Sequence, residues 1–159
     1  MRLTIAEIGL GQRSLGICGM PGRAGFYQAD LITLRQWQPA LVLSFTTAEE
    51  LHRIAPDLPQ DLAEAGIAWA HLPIPDYGIP GPAWDDISRQ AHAELAKANK
   101  VLLHCMGGCG RSGSAALRLM VEAGEQPETA LARLRQARPC AVETPEQFAW
   151  ASGQTGSNR

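Results

Sequence analysis

The chain has 159 residues, of which 45% are hydrophobic and 19% are charged, with a formal net charge of -2. This length fits one domain with a sizeable core, and the composition is that of a globular protein rather than a disordered chain. The slightly negative charge excludes a general attraction to nucleic acid or to an anionic membrane, so we expect neither partner. Any site for an anionic ligand must be built locally.

The first eight residues lack the long apolar run of a signal peptide, and no later run is long enough to cross a bilayer. These features lead us to expect a cytoplasmic protein. In a reducing compartment the cysteines are expected to serve packing or chemistry rather than a disulfide framework. There are four of them: Cys18, Cys105, Cys109 and Cys140.

Strand-like and helix-like stretches alternate along the chain. Apolar runs predict strands at 3–8, 15–18, 40–45, 67–72 and 100–104. Amphipathic spacing, capping residues and stop signals predict helices at 26–37, after Thr47, and at 59–65, 83–98, 112–122, 127–138 and from 145 onwards. Thr47 and Glu50 form a capping box at the start of the second helix.

This order of elements predicts an α/β fold with a central, mostly parallel sheet of about five strands and helices on both faces. We expect one domain over residues 1–151 and a disordered polar tail at 152–159. In such sheets ligands bind beyond the C-terminal ends of the strands. The turn that follows His104 lies at one of these ends.

That turn reads His104-Cys105-Met106-Gly107-Gly108-Cys109-Gly110-Arg111-Ser112. Because it joins a buried strand to a helix, backbone N–H groups at the helix start point into it. Its three glycines let the backbone curl and approach a ligand closely. Together with the helix dipole and the planar guanidinium of Arg111, these groups predict a cradle for phosphate or another oxyanion.

Cys105 lies at the base of this cradle, where the groups that favour phosphate also favour a thiolate. We therefore expect its sulfur to attack phosphorus and give a cysteinyl-phosphate that water hydrolyses. Ser112 is placed to donate a hydrogen bond to the departing sulfur, and His104 to orient the loop from behind. A plain strand–helix connection would not explain why these residue types fall together at this spacing. No metal or other cofactor is expected, because the cysteine and histidine spacing does not fit a zinc site.

The stretch from His104 to Ser112 matches the His-Cys-five residues-Arg-Ser/Thr signature of the protein tyrosine and dual-specificity phosphatase superfamily. Within it the chain most resembles the cyclin-dependent kinase-associated phosphatase group, through residues 15–22, 73–78 and 143–147. The resemblance spans roughly residues 15–150. It implies a metal-independent phosphatase that uses residues 106–111 to bind phosphate, in the order Met106, Gly107, Gly108, Cys109, Gly110, Arg111.

The resemblance also implies an aspartic acid on a mobile loop that protonates the leaving group. Asp76 fits, because it follows the strand at 67–72 and stands in a loop rich in proline and glycine. It is also an ordinary turn former between Pro75 and Tyr77. Asp85 and Asp86 are the alternatives, although both lie in the first turn of a helix, where acidic residues are common for electrostatic reasons.

Two further positions have more than one interpretation. Gln147 corresponds to a glutamine that some family members use to position the hydrolytic water, yet with Thr144 it also forms a capping box. Cys109 or Cys18 is placed to form a disulfide with an oxidised Cys105. Simple packing is the favoured interpretation for both cysteines.

The resemblance favours a phosphoprotein substrate carrying phosphoserine, phosphothreonine or phosphotyrosine. The interior of the loop contains no lysine, whereas phosphoinositide phosphatases of the superfamily often place basic residues there. Alternatives are a phosphatase of RNA 5′-phosphate, a nucleotide or a phospholipid, and a non-catalytic phosphate-binding module. Degenerate members usually lose the Cys, the Arg or the acid, and all three residue types are present here.

Overall fold

The structure is a computed structural model, and it describes residues 2–153. Of the tail predicted at 152–159, residues 154–159 lie outside the described range. Within that range the elements are β1 (Ala6–Leu10), β2 (Arg13–Cys18), α1 (Tyr27–Trp37), β3 (Leu41–Ser44), α2 (Ala48–Ile54), α3 (Leu58–Glu64), β4 (Ala68–His71), α4 (Trp84–Ala96), β5 (Lys100–His104), α5 (Gly110–Glu122), α6 (Pro127–Ala137) and α7 (Pro145–Ala151).

The strands form one five-stranded sheet in the order β1-β2-β5-β3-β4. β1 and β2 form an antiparallel hairpin at one edge, and the other neighbours pair in parallel. The predicted α/β fold with a mostly parallel sheet is therefore confirmed. The first strand begins at Ala6 rather than at residue 3 and runs to Leu10. Within residues 2–153 no helix has the length and apolar character needed to span a membrane.

Successive side chains of each strand point to opposite faces of the sheet, so the core is divided between the two faces. On β5, Val101 and Leu103 point to a core built with α4, α5, α6 and α7. Leu102, between them, points to a second core built with α1, α2 and α3. Because successive side chains of a strand face opposite sides, a run that is apolar throughout is what a strand covered on both faces requires.

The register of the sheet fixes where polar chemistry can occur. His104, at the end of the central strand β5, is paired with Cys18 of β2 on one side and with Ser44 of β3 on the other. Three parallel strands therefore end together, and the chain leaves β5 into the glycine-rich turn. This is the edge at which α/β sheets place their ligands.

A surface carboxylate links the two helices next to this turn. Glu122, at the end of α5, accepts hydrogen bonds from Nε1 of the buried Trp84 (2.9 Å) and from Oγ of Ser88 (2.7 Å) on α4. Nε of Arg118 (3.1 Å) and Nε2 of His92 (2.9 Å) complete the set. The carboxylate is thus the shared acceptor for four donors, and it holds α4 against α5.

We expect Glu122→Ala to lower the free energy of unfolding by about 1–3 kcal/mol, because it leaves the buried indole N–H of Trp84 without its acceptor. Glu128→Ala is the matched control, since that carboxylate is exposed on α6 and, among residues 2–153, accepts a side-chain hydrogen bond from Gln126 alone. The control should change stability by about 0.5 kcal/mol or less. Urea unfolding of both variants measures the difference, and equal effects would contradict the assignment of Glu122 as a helix link.

Candidate active site

The backbone carbonyl groups of the turn after β5 are held by its surroundings. The carbonyl of Met106 accepts from the amide of Met20 (2.9 Å), and that of Cys109 accepts from the amide of Val142 (3.1 Å). The carbonyls of Gly107 and Gly108 are held differently, by a single arginine side chain. These contacts fix the curl of the turn, which we call the phosphate loop.

Arg138, at the end of α6, provides that clamp. Its Nη2 donates to the carbonyl of Gly107 (2.8 Å) and its Nε to the carbonyl of Gly108 (2.9 Å). With φ of 73°, Gly108 adopts the left-handed conformation. A Cβ there would lie 2.7 Å from the carbonyl of Cys18, so only glycine fits.

Unlike its carbonyl groups, the amides of the phosphate loop have no hydrogen-bond partners in the described part of the chain. Within residues 2–153, the N–H groups of residues 106–111 donate to no protein acceptor. The first helical turn of α5 has no side-chain cap at Cys109, the N-cap residue. The Nε of Arg111 is also buried and without a partner in the described structure. Unpaired donors that converge in this way, at a helix N-terminus, form a site for an anion.

Cys105 lies at the base of the loop and is only 2% exposed. Its Sγ is 3.2 Å from Oγ of the buried Ser112 in the first turn of α5. Burial alone would lower the pKa of Arg111, but the hydrogen bonds that Arg111 donates to Glu50 and the negative charge of Cys105 outweigh it and raise that pKa. The structure therefore brings together the predicted sulfur, hydroxyl and guanidinium.

A carboxylate that the sequence prediction did not place in the site holds Arg111. Nη1 of Arg111 donates to Oε1 of Glu50 (2.7 Å) and Nη2 to Oε2 (3.2 Å), in a two-pronged ion pair. Nη1 also donates to the carbonyl of Ile74 (2.8 Å). Nη1 is thus fully occupied, and Nε together with the second N–H of Nη2 is left for a ligand.

Glu50 has two tasks at once. The predicted capping box is confirmed, because Oγ1 of Thr47 accepts from the amide of Glu50 and Oε1 of Glu50 accepts from the amide of Thr47. The same carboxylate pairs with Arg111, which lowers the pKa of Glu50 to about 2. The sequence signals only the cap. An unpaired guanidinium in a buried loop indicates that some carboxylate must be near, but not which one.

The predicted acid Asp76 lies on the segment between β4 and α4. Its Oδ1 is 3.6 Å from Nη2 of Arg111 and accepts a hydrogen bond from the amide of Tyr77 (3.0 Å). The side chain is 60% exposed, so the carboxylate is accessible to solvent beside Arg111. The alternatives lie elsewhere: Asp85 and Asp86 are in the first turn of α4, where Asp86 pairs with Arg89.

Gln147 is buried, and both ends of its side-chain amide bind backbone groups. Its Oε1 accepts from the amides of Glu143 (2.8 Å) and Thr144 (3.2 Å), which completes the capping box of α7. Its Nε2 donates to the carbonyl of Gly78 (3.2 Å), in the segment that carries Asp76. The side chain therefore connects the start of α7 to the Asp76 segment.

His104 supports the loop from inside the sheet. The indole N–H of Trp69 donates to Oγ of Ser44 (2.8 Å), so the hydroxyl of Ser44 is free to donate to Nε2 of His104 (2.5 Å). This arrangement leaves the proton on Nδ1, which lies 3.3 Å from the carbonyl of Cys105. Burial lowers the pKa of His104 to about 4, so the ring is neutral at neutral pH.

The prediction for two of the cysteines is wrong. Cys109 and Cys140 form a disulfide with their Cα atoms 5.1 Å apart, so Cys109 is neither a plain packing residue nor a free partner for Cys105. The sequence does not indicate this pair, because Cys140 lies 31 positions after Cys109 and approaches it only when the chain returns past α6. Cys18 is a free and fully buried thiol, and its burial raises its pKa. Within residues 2–153 no group of three or more His, Cys, Asp or Glu side chains is positioned to hold a metal ion.

A family model described as "Polymorphic toxin system, DSP-PTPase phosphatase" matches residues 18–125. The match covers more than half of the chain and includes the entire phosphate loop. The chain belongs to the dual-specificity phosphatase family. The resemblance noted in the sequence is thereby confirmed, and the protein is a cysteine-dependent protein phosphatase.

Relatives and solved structures agree on the subgroup. Cyclin-dependent kinase inhibitor 3 of Mus musculus is 34% identical over 145 residues, which cover 84% of this chain and 68% of the relative. The Homo sapiens protein of that name is 32% identical over 145 residues, with the same coverage. A kinase associated phosphatase with serine in place of its catalytic cysteine superposes with a TM-score of 0.87 at 27% identity, over 96% of this chain and 94% of that one. Tk-PTP in its active form superposes with a TM-score of 0.76 at 27% identity, over 94% of this chain and 95% of that one.

We expect Glu50→Gln to weaken inhibition of this phosphatase by inorganic phosphate about tenfold, a loss near 1.4 kcal/mol. The amide can still cap α2, but it no longer pairs with both outer nitrogens of Arg111 and so no longer directs Nε into the loop. Removing a negative charge near the loop would by itself strengthen the binding of phosphate. We expect the loss of the Arg111 orientation to outweigh this charge effect, because the ion pair is largely buried.

The measurement for that variant is the inhibition constant of phosphate against an aryl phosphate substrate. Glu49→Gln is the matched control, since Glu49 is exposed on the same helical turn. Unchanged or tighter inhibition in Glu50→Gln would show that Glu50 does not orient Arg111.

Stability of the phosphatase should depend on His104 in mild acid. Its pKa is 6.5 in an unfolded chain and about 4 in the fold, so between these values the unfolded state binds a proton that the folded state excludes. Acidification through this window therefore favours unfolding. Between about pH 7 and about pH 5 the free energy of unfolding should fall in both proteins. We expect the fall to be about 1–2 kcal/mol smaller in His104→Asn than in the parent, because the variant lacks this titrating group. Urea unfolding at each pH tests this, and parallel losses would contradict it.

Proposed function

We propose that the phosphatase hydrolyses phosphate monoesters through a thiolate attack by Cys105. The loop amides of residues 106–111 and the Nε of Arg111 donate to the non-bridging oxygens of the phosphoryl group, while the sulfur forms a bond to phosphorus and the ester oxygen departs. Water then breaks the phosphorus–sulfur bond and releases phosphate. The observation that carries this proposal is the set of donors around Cys105 that have no protein acceptor in the described structure.

Asp76 is proposed as the acid that protonates the departing oxygen and then as the base that takes a proton from water. Its support is position: the carboxylate reaches Arg111 from the exposed side of the loop, where an ester oxygen would leave. Ser112 is proposed to donate a hydrogen bond to the sulfur when the intermediate is hydrolysed, which its 3.2 Å separation from Sγ supports. Gln147 is proposed to help position the water, through its contact with the Asp76 segment.

The proposed substrate is a phosphoprotein carrying phosphoserine, phosphothreonine or phosphotyrosine. Support comes from the similarity to kinase associated phosphatase and from a loop interior without lysine. Tyr77, which follows Asp76, is 59% exposed and so offers an aromatic contact to the protein chain that carries the phosphate. The proposed location is the cytoplasm.

The test is hydrolysis of two phosphate esters, one with an aryl and one with an alkyl leaving group, in the presence of a chelator. The parent should remain active with the chelator, and Cys105→Ser should be inactive on both esters. Asp76→Asn should lose about 10²-fold or more on the alkyl ester and markedly less on the aryl ester, because a phenoxide needs less help from an acid.

Asp86→Asn is the matched control for the acid, since Asp86 is exposed and pairs with Arg89 away from the loop. It should leave both rates unchanged. A requirement for metal, or full activity without the sulfur, would refute the mechanism. Tight phosphate binding without turnover of any ester would instead indicate a non-catalytic binding module.

The covalent intermediate has its own readout. Rapid quenching of the enzyme with a radiolabelled phosphoester should trap label on the protein, and Cys105→Ser should trap none. Mapping the label to a residue other than Cys105 would contradict the proposed nucleophile.

A further inference from the structure

A cavity adjoins the phosphate loop at Gly107. Its volume is about 460 Å³, and Gly107 of the loop forms part of its wall. Three arginines line it: Arg2, Arg23 and Arg138. We call this space the arginine cavity. None of the reaction steps above uses it.

The arginine cavity has an excess of positive charge. Its wall contains one carboxylate, Asp30, which is 3% exposed. Oδ1 of Asp30 accepts from the amide of Leu3 (3.0 Å) and Oδ2 from the amide of Gly22 (2.8 Å), so both of its oxygens are engaged by backbone. Within the part of the chain that the structure describes, it pairs with no arginine. Three arginines therefore line a space whose wall contains a single carboxylate that backbone amides already engage.

Two of these guanidinium groups meet at one residue of the phosphate loop. Nη2 of Arg138 donates to the carbonyl of Gly107. Nη1 of Arg23 lies close to the same residue, since a Cβ built on Gly107 would be 3.5 Å from it. Among residues 2–153 the Arg23 side chain is exposed and donates to no acceptor. Arg138 uses Nε and Nη2 for its two bonds to the loop, so its Nη1 also has no acceptor in this range. Unused, planar donors thus stand directly beside the phosphoryl site.

The opposite end of the loop has the reverse charge. The carboxylate of Glu143 reaches Gly110, close enough that a side chain on Gly110 would collide with it. The loop thus runs from an arginine side at Gly107 to an acidic side at Gly110. A substrate chain crossing the loop would meet a gradient of charge, which favours one direction of binding.

We propose that the arginine cavity binds a second anionic group of the substrate, carried on a residue next to the phosphorylated one. This inference rests on the proposed function, because it specifies which phosphoproteins the site prefers. Neighbouring residues of a peptide have Cα atoms about 3.8 Å apart, so a flanking side chain can enter a cavity that shares a wall with the loop. The ligand chemistry is an oxyanion that guanidinium groups can hold in a two-pronged contact: a carboxylate or a second phosphate.

The experiment measures binding of phosphothreonine peptides to the Cys105→Ser variant, which holds substrate without turnover. Three peptides share one sequence and differ at the flanking residue: alanine, aspartate or phosphoserine. We expect the aspartate and phosphoserine peptides to bind about five- to tenfold more tightly than the alanine peptide, with the advantage shrinking at high salt. The ratio between those two peptides distinguishes a carboxylate site from a phosphate site.

Adding Arg23→Gln should remove most of this advantage while the alanine peptide binds as before. Arg35→Gln is the matched control: Arg35 is exposed in the last turn of α1, at the far end of the helix that Arg23 precedes. It loses the same charge and should keep the full advantage.

Three results would overturn the proposal. The flanking acid gives no advantage, or Arg35→Gln abolishes it as fully as Arg23→Gln. In the third, a short-chain phosphoinositide depends on Arg23 while the acidic peptides do not, which would assign the cavity to a lipid headgroup. Hydrolysis of an aryl phosphate by the unmodified protein is measured separately. Its absence would refute the proposed function, whereas the binding comparison would still decide the role of the cavity.

Discussion

The structure depends on one constraint: the phosphate loop must hold its carbonyls outward so that its amides remain free. Contacts from three different elements achieve this, through Met20 after β2, Arg138 at the end of α6 and Val142 before α7. Each contact uses an acceptor of the loop, and none uses a donor. The loop donors are therefore in place before any ligand arrives, and an oxyanion that bound them as we propose would not need the backbone to reorganise.

The side chains around the loop follow the same logic. Glu50 and the carbonyl of Ile74 occupy Nη1 of Arg111 and one N–H of Nη2, which fixes the direction of the remaining donors. The neutral ring of His104 fixes the carbonyl of Cys105, and the sheet register supplies its partner Ser44. Support of this kind, from residues that would not touch the ligand, keeps a functional group within a fraction of an ångström of its working position.

Much of this was predictable from the sequence, because it is local. The strand–turn–helix setting, the glycines and the spacing from Cys105 to Arg111 are written in consecutive residues. The capping box of Glu50 was also predictable. Its ion pair with Arg111 was not, since 61 positions separate the two residues. The Cys109–Cys140 disulfide and the arginine cavity were missed for the same reason: only the return of the chain past α6 brings Cys140 and Arg138 to the loop.

The central claim is that the loop amides and Nε of Arg111 are the donors for a bound oxyanion. The most direct measurement is a crystal structure of the Cys105→Ser variant with tungstate. The account predicts the anion above residue 105, within hydrogen-bond distance of the amides of residues 106–111 and of Nε of Arg111, with the Glu50 ion pair intact. An anion bound elsewhere, or an Arg111 that leaves Glu50 and turns away from the loop, would contradict it.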